Sequence, residues 1–184
     1  MQAEREARLI KRAQQGEESA VSQLYHDNVQ AIFRYVFYRT GDQNVAEDLT
    51  AETFLRAIEG LDRYEYRGVP FRAWLYRIAN ARVADHLRAQ ARENVQPLDS
   101  IGHGVDPGLE NGVATQLEIE KLTALLPRLT EDQQQVLIMR FLSGYSIEET
   151  ATIMDKTPGA IKSLQHRALR SLARLFEQEH GARE

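Results

Sequence analysis

Residues 94–116 constrain the fold of this chain more than any other stretch. They read Asn-Val-Gln-Pro-Leu-Asp-Ser-Ile-Gly-His-Gly-Val-Asp-Pro-Gly-Leu-Glu-Asn-Gly-Val-Ala-Thr-Gln, with two prolines, four glycines, three acids and no Lys or Arg. Their apolar residues keep neither a helical nor an alternating period, and structureless runs of this length are uncommon inside a compact domain. The segment is therefore expected to be a flexible acidic linker. It divides the chain into an N-terminal domain over 1–93, the linker over 94–116 and a C-terminal domain over 117–184. Each domain is small but long enough to build a core.

Both domains are expected to be all-α. Val29, Ile32, Phe33, Val36 and Phe37 repeat at three and four residues, which predicts a helix over Asp27–Thr40. Gly41-Asp42 breaks it, Asn44 is the expected cap of a helix over Val45–Gly60, and Pro70 opens another that runs to about Arg92. Beyond the linker, helices are expected over Leu117–Leu126, Glu131–Ser143, Ile147–Met154 and Gly159–Phe176. Thr130, Ser146 and Thr157-Pro158 serve as start signals and Gly144 as a stop. No strand of useful length and no internal repeat is expected.

Composition excludes several classes. The chain has no Cys, so disulfides, thiolate zinc sites and Cys nucleophiles are ruled out. Its five histidines are scattered, and neither a His-Glu-x-x-His pair nor a phosphate-cradling glycine loop occurs. No catalytic residue, metal or cofactor is expected, and the protein is read as a non-enzyme. The charged N-terminus lacks the apolar core of a signal peptide, and no apolar run reaches the roughly 20 residues that cross a bilayer. A cytoplasmic protein without membrane insertion is expected.

The net charge of −4 conceals alternating blocks. Asp42–Asp62 carries six acids and one base, Arg63–Arg92 carries seven arginines and two acids, and Lys156–Phe176 carries five bases and no acid. Within the last block Ile161, Leu164, Ala168, Leu172 and Leu175 form one face, and Lys162, Ser163, His166, Arg167 and Arg170 the other, with Gln165 near the edge. Two short helices joined by Asp155-Lys-Thr-Pro fit a helix-turn-helix whose second helix could enter a major groove. Free N–H groups at its start, next to Thr157, suit a phosphate.

In the N-terminal domain Asp48, Glu52, Leu55 and Glu59 line one helix face, which suits docking on a basic partner with Leu55 as an anchor. The next stretch, Arg63 to Arg77, interleaves arginines with aromatics, the composition that holds unstacked bases. Phe71 belongs to the core, and Trp74 suits either packing or stacking. Arg77, Asn80 and Arg88 share a polar face with Ala73 and Ala84, a smooth surface for a duplex. Taken without further context, these features also suit a dimeric helix-turn-helix regulator or a docking adaptor.

The stretches AEDLTAETFLRAIEGLDRY (46–64), PFRAWLYRIANARVADHLR (70–88) and LPRLTEDQQQVLIMRFLSGYSIEETATIMDKTPGAIKSLQHRAL (126–169) stand in this order, with the linker before the last. Together they resemble bacterial RNA polymerase sigma factors of the extracytoplasmic-function group over about residues 7–176. The resemblance implies core RNA polymerase as a partner through Asp48, Glu52, Leu55 and Glu59. It implies a minus-ten surface from Tyr64, Tyr66, Arg67, Trp74, Arg77, Asn80 and Arg88. It implies a minus-thirty-five surface from Thr157, Lys162, Ser163, Gln165, His166, Arg167 and Arg170. Promoter DNA is the second partner, an anti-sigma protein that masks these faces would be a third, and the linker would thread toward the polymerase cleft and RNA exit path.

Overall fold

The three-four spacing of apolar residues makes helices throughout. The computed structural model describes residues 2–93 and 116–181, and every regular element among them is helical. The expected linker, apart from Gln116, lies outside the described residues. The helices before it form one compact unit and those after it a second.

The N-terminal unit contains α1 (Gln2–Gln14), α2 (Glu18–Thr40), α3 (Gln43–Gly60), a 3-10 turn (Leu61–Arg63) and α4 (Phe71–Glu93). Helix α2 is the hub, packing against α1, α3 and α4. Its stripe starts at Ala20 and Leu24, so the helix begins at Glu18 rather than at Asp27. The stripe is interrupted by Asn28, a buried polar residue that hid its continuity. Asn28 is satisfied by donating to the Leu24 carbonyl at 2.8 Å and accepting from Arg72 Nε at 2.9 Å. Helix α1 is heavily charged and was not legible as an element, yet Ile10 and Ala13 are buried. Ile32, Tyr35, Val36, Leu75, Tyr76 and Val83 form the centre of the core.

Gly41 ends α2 in the left-handed region at φ 70°, donating to the Phe37 carbonyl, as a C-terminal glycine does. The α3 cap is Asp42, not Asn44: Asp42 Oδ1 accepts from the Val45 N–H at 3.0 Å, and Asn44 is already inside the helix. Asp and Asn cap equally well, so the turn after Gly41 decides which is used.

The C-terminal unit contains α5 (Gln116–Leu125), a 3-10 turn (Leu126–Arg128), α6 (Glu131–Leu137), α7 (Ile147–Met154) and α8 (Pro158–Gly181). Helix α6 runs on into a π-helical turn, Ile138–Leu142, where a single α-helix to Ser143 was expected. Ser143 N donates five residues back to Ile138, and Tyr145 N closes over Gly144 (φ 73°) onto Met139. Gln134 to Met139 are all buried, so this helix is surrounded rather than amphipathic. Thr130 and Ser146 both form complete capping boxes, with Gln133 and Glu149 reaching back to the cap N–H groups.

Candidate nucleic-acid interface

On α3, Asp48, Leu55 and Glu59 are exposed and share a face with half-buried Glu52. Leu55 is 57% exposed, a large apolar side chain amid acids. Two features were missed by sequence reasoning. Ile58, 53% exposed, flanks Leu55 and enlarges its apolar patch. Glu52 is held by Arg82 of α4 at 3.3 Å, and the same guanidinium contacts Asp85 at 2.7 Å. Asp85 in turn binds Arg88 at 2.7 Å, and hydrogen bonding from Arg88 with the nearby charge of Arg82 lowers its pKa.

Between α3 and α4 the chain makes an open pocket of about 510 Å³, lined by Gly60, Arg63, Tyr64, Glu65, Arg67, Val69, Trp74 and Arg77. Such a volume lies within the roughly 300–1,000 Å³ of small-ligand sites. The half-buried Tyr64 and Trp74 rings lie 4.6 Å apart at 35°, and Phe71 supports both from the core. Trp74 therefore packs and also lines the pocket. Burial, with Glu6 nearby and Arg77 opposing, pushes the Tyr64 phenol up to about 12, so it stays neutral at physiological pH. Gly60 lies against the indole: a Cβ there would stand 3.4 Å from Trp74 Cζ2, an ordinary contact. Gly68, at φ 76°, turns the loop in a conformation that L side chains rarely adopt.

Not every expected minus-ten residue joins this pocket. Tyr66 is half-buried beside Glu6 and does not line it, whereas Arg67 does, exposed and paired with Glu65 at 2.7 Å. Asn80 turns inward, where its Oδ1 accepts from Tyr35 at 2.9 Å and from buried Arg39 at 2.8 Å. The smooth face through Ala73 does not exist, because Ala73 is only 1% exposed and packs in the core. Ala84 is half-buried, and Arg77 and Arg88 are exposed. The shared helical spacing put Asn80 and Ala73 with the arginines, while α2 packs on α4 and its Tyr35 and Arg39 engage Asn80.

In the C-terminal unit, α7 ends at Asp155 in the left-handed conformation (φ 55°), and Thr157 Oγ1 accepts from Ala160 N to start α8. Ile161, Leu164 and Ala168 are buried, and Leu172 and Leu175 half-buried. Lys162, Ser163, His166, Arg167 and Arg170 are all exposed on the opposite side, as expected. Gln165 sits at the edge, its Oε1 accepting from Arg140 Nε at 3.0 Å. Arg140 also donates to the Tyr145 carbonyl, so it ties the π turn to α8.

The two units coincide with two family matches: Sigma-70 region 2 over residues 24–93 and Sigma-70 region 4 over residues 119–172. The ECF RNA polymerase sigma factor BldN of Streptomyces coelicolor is 41% identical over 173 residues, 93% of this chain and 66% of BldN. The ECF RNA polymerase sigma factor SigD of Mycobacterium tuberculosis is 34% identical over 178 residues, 94% of this chain and 84% of SigD. The chain belongs to the ECF RNA polymerase sigma factors. The fold agrees: the sigma factor RpoE, solved in complex with the anti-sigma factor NepR from Bartonella quintana, superposes with a TM-score of 0.63 at 24% identity. That alignment covers 85% of this chain and 96% of RpoE. As a sigma factor, the protein directs promoter-specific transcription initiation by RNA polymerase, and sigma factors are initiation factors rather than catalysts. No described helix is long and apolar enough to cross a membrane.

Proposed function

We propose that the two units divide the promoter between them. The N-terminal unit docks on core polymerase through Asp48, Glu52, Leu55 and Glu59, with Ile58 widening the apolar contact. Its pocket then takes an unstacked minus-ten base against Tyr64 and Trp74, with Tyr66, Arg67, Arg77 and Arg88 meeting the backbone around it. Asn80 acts from inside, by holding Tyr35 and Arg39, rather than by touching DNA. In the C-terminal unit, Lys162, Ser163, His166, Arg167 and Arg170 read the minus-thirty-five element in the major groove, with Thr157 at the phosphate-facing helix start and Gln165 at the margin. In this reading the protein acts by binding rather than by catalysis, and it works in the cytoplasm.

The observation that carries this reading is the pocket, where two neutral rings meet Arg63, Arg67 and Arg77 around an open volume. Unstacking a base costs a few kcal/mol, and stacking returns roughly 1–3 kcal/mol per base. An anti-sigma protein is the expected third partner, since the structurally similar RpoE is bound by one. It would compete for the exposed Leu55 and Ile58 patch.

Run-off transcription with purified core polymerase across genomic templates tests the whole. Promoter-specific starts are expected, and their absence on every template defeats the reading. Arg167→Ala separates the units: duplex promoter affinity should fall by roughly 1–3 kcal/mol with core affinity intact. Equal losses of both would refute the division of labour.

A further inference from the structure

Helix α1 precedes residue 24, where the region 2 match begins, and none of the expected site residues lies on it. Two of its side chains nevertheless grip the pocket loop at both ends. At the entry, the Gln14 amide donates to the Leu61 carbonyl at 2.9 Å and to the Tyr64 carbonyl at 2.8 Å. At the exit, Glu6 Oε1 accepts from the Phe71 N–H at 3.1 Å, in the first turn of α4, and Glu6 also lies beside Tyr66. A first-turn N–H has no partner within its own helix, and a carboxylate there is favoured by the helix dipole.

Glu6 and Gln14 are eight residues apart on one rigid helix, a rise of about 12 Å. That helix is fixed in turn by buried Ile10 and Ala13 against the rest of the unit. The loop itself has little internal bonding. Tyr64 reaches the Val69 carbonyl only at 3.5 Å, and Arg67 pairs with its neighbour Glu65. The position of the Tyr64 ring over Trp74 is thus set from outside the loop.

We infer that Gln14 and Glu6 are positioning residues for minus-ten base capture, acting as a brace that spaces the two ends of the pocket loop. This inference rests on the proposed role of the pocket in taking a base.

The test uses holoenzyme and a fluorescent non-template-strand oligonucleotide. It covers the minus-ten element of a promoter mapped by run-off transcription, with an abasic site introduced at each position in turn. Wild type should prefer the intact base at one position by roughly 5- to 150-fold. Gln14→Glu removes the donor without changing the side chain's size, and Glu6→Ala removes the acceptor. Both should collapse that preference toward unity while core affinity stays at the wild-type value. Glu6→Gln keeps an acceptor oxygen and should restore most of the preference. If wild type shows no preference at any position, the base-capture reading fails and the brace with it. If wild type discriminates and both disrupting variants discriminate equally well, the brace alone is refuted. If both lose core binding in step with the preference, the contacts are merely structural and the inference is again overturned.

Discussion

Gly60 offers a way to close the pocket without removing any side chain that lines it. Its backbone is helical (φ −94°), so a side chain introduces no backbone strain. A Cβ would stand 3.4 Å from Trp74 Cζ2 and 3.6 Å from Cη2, ordinary contact distances. Gly60→Ala should therefore fit and gain about 0.4–1 kcal/mol from the stiffer unfolded chain. Gly60→Leu adds three further carbons, which must displace the indole or fill the space beside it. If a base occupies that space, the cost is its stacking energy, about 1–3 kcal/mol, or roughly 5- to 150-fold in affinity. Fluorescence anisotropy with holoenzyme and the labelled non-template strand measures this directly. The Ala variant should bind like wild type and the Leu variant more weakly by that factor, with duplex minus-thirty-five binding unchanged in both. A Leu variant that melts normally and binds the single strand at full affinity would refute base capture. Equal losses in both would show that backbone freedom at Gly60 matters rather than volume.

Leu55→Glu should weaken core polymerase binding by more than about 1 kcal/mol while leaving thermal stability within about 0.5 kcal/mol, because the side chain is exposed; co-purification with core enzyme and calorimetry read the two effects. Ser146→Ala removes the hydroxyl of a full capping box and should cost about 0.5–2 kcal/mol, or several degrees in the melting of the C-terminal unit. An unchanged midpoint would mean that the cap is idle. Tyr64 should ionise near pH 12 in an ultraviolet titration, against an ordinary value of 10, because burial first and Glu6 second disfavour the phenolate. Its contribution to stability is full below pH 10 and is lost as pH rises from 10 through 12. A Tyr64 that titrates near 10 would contradict its packing against Trp74.

The C-terminal unit was the more legible because its signals are local. Thr130, Gly144, Ser146 and the two faces of α8 each depend on neighbours within four residues, and each acts as its residue type predicts. What escaped was set by contacts distant in sequence. Asn80 carries the spacing of a surface residue, but Arg39 and Tyr35, more than 40 residues earlier, draw it inward. Asn28 broke the apolar stripe that would have revealed the true start of α2, since its partner Arg72 lies on another helix. Helix α1 looks like a solvated charged segment because only Ile10 and Ala13 reach the core. The π turn at Ile138–Leu142 sits where a period of 3.6 predicts an unbroken α-helix.

Seven arginines between Arg63 and Arg92 suggest a strongly cationic DNA face, but several are already engaged. Arg67 pairs with Glu65, Arg72 with Asn28 and the Asp27 carbonyl, Arg82 with Glu52 and Asp85, and Arg88 with Asp85. A guanidinium that must leave a carboxylate to reach a phosphate exchanges one ion pair for another. Binding of nucleic acid by this unit should then displace fewer counterions than its arginine count implies, with a correspondingly shallow dependence of affinity on ionic strength. Stray DNA in the cell would hold the unit only weakly, and attachment to the right site would draw instead on aromatic contacts, which salt scarcely screens.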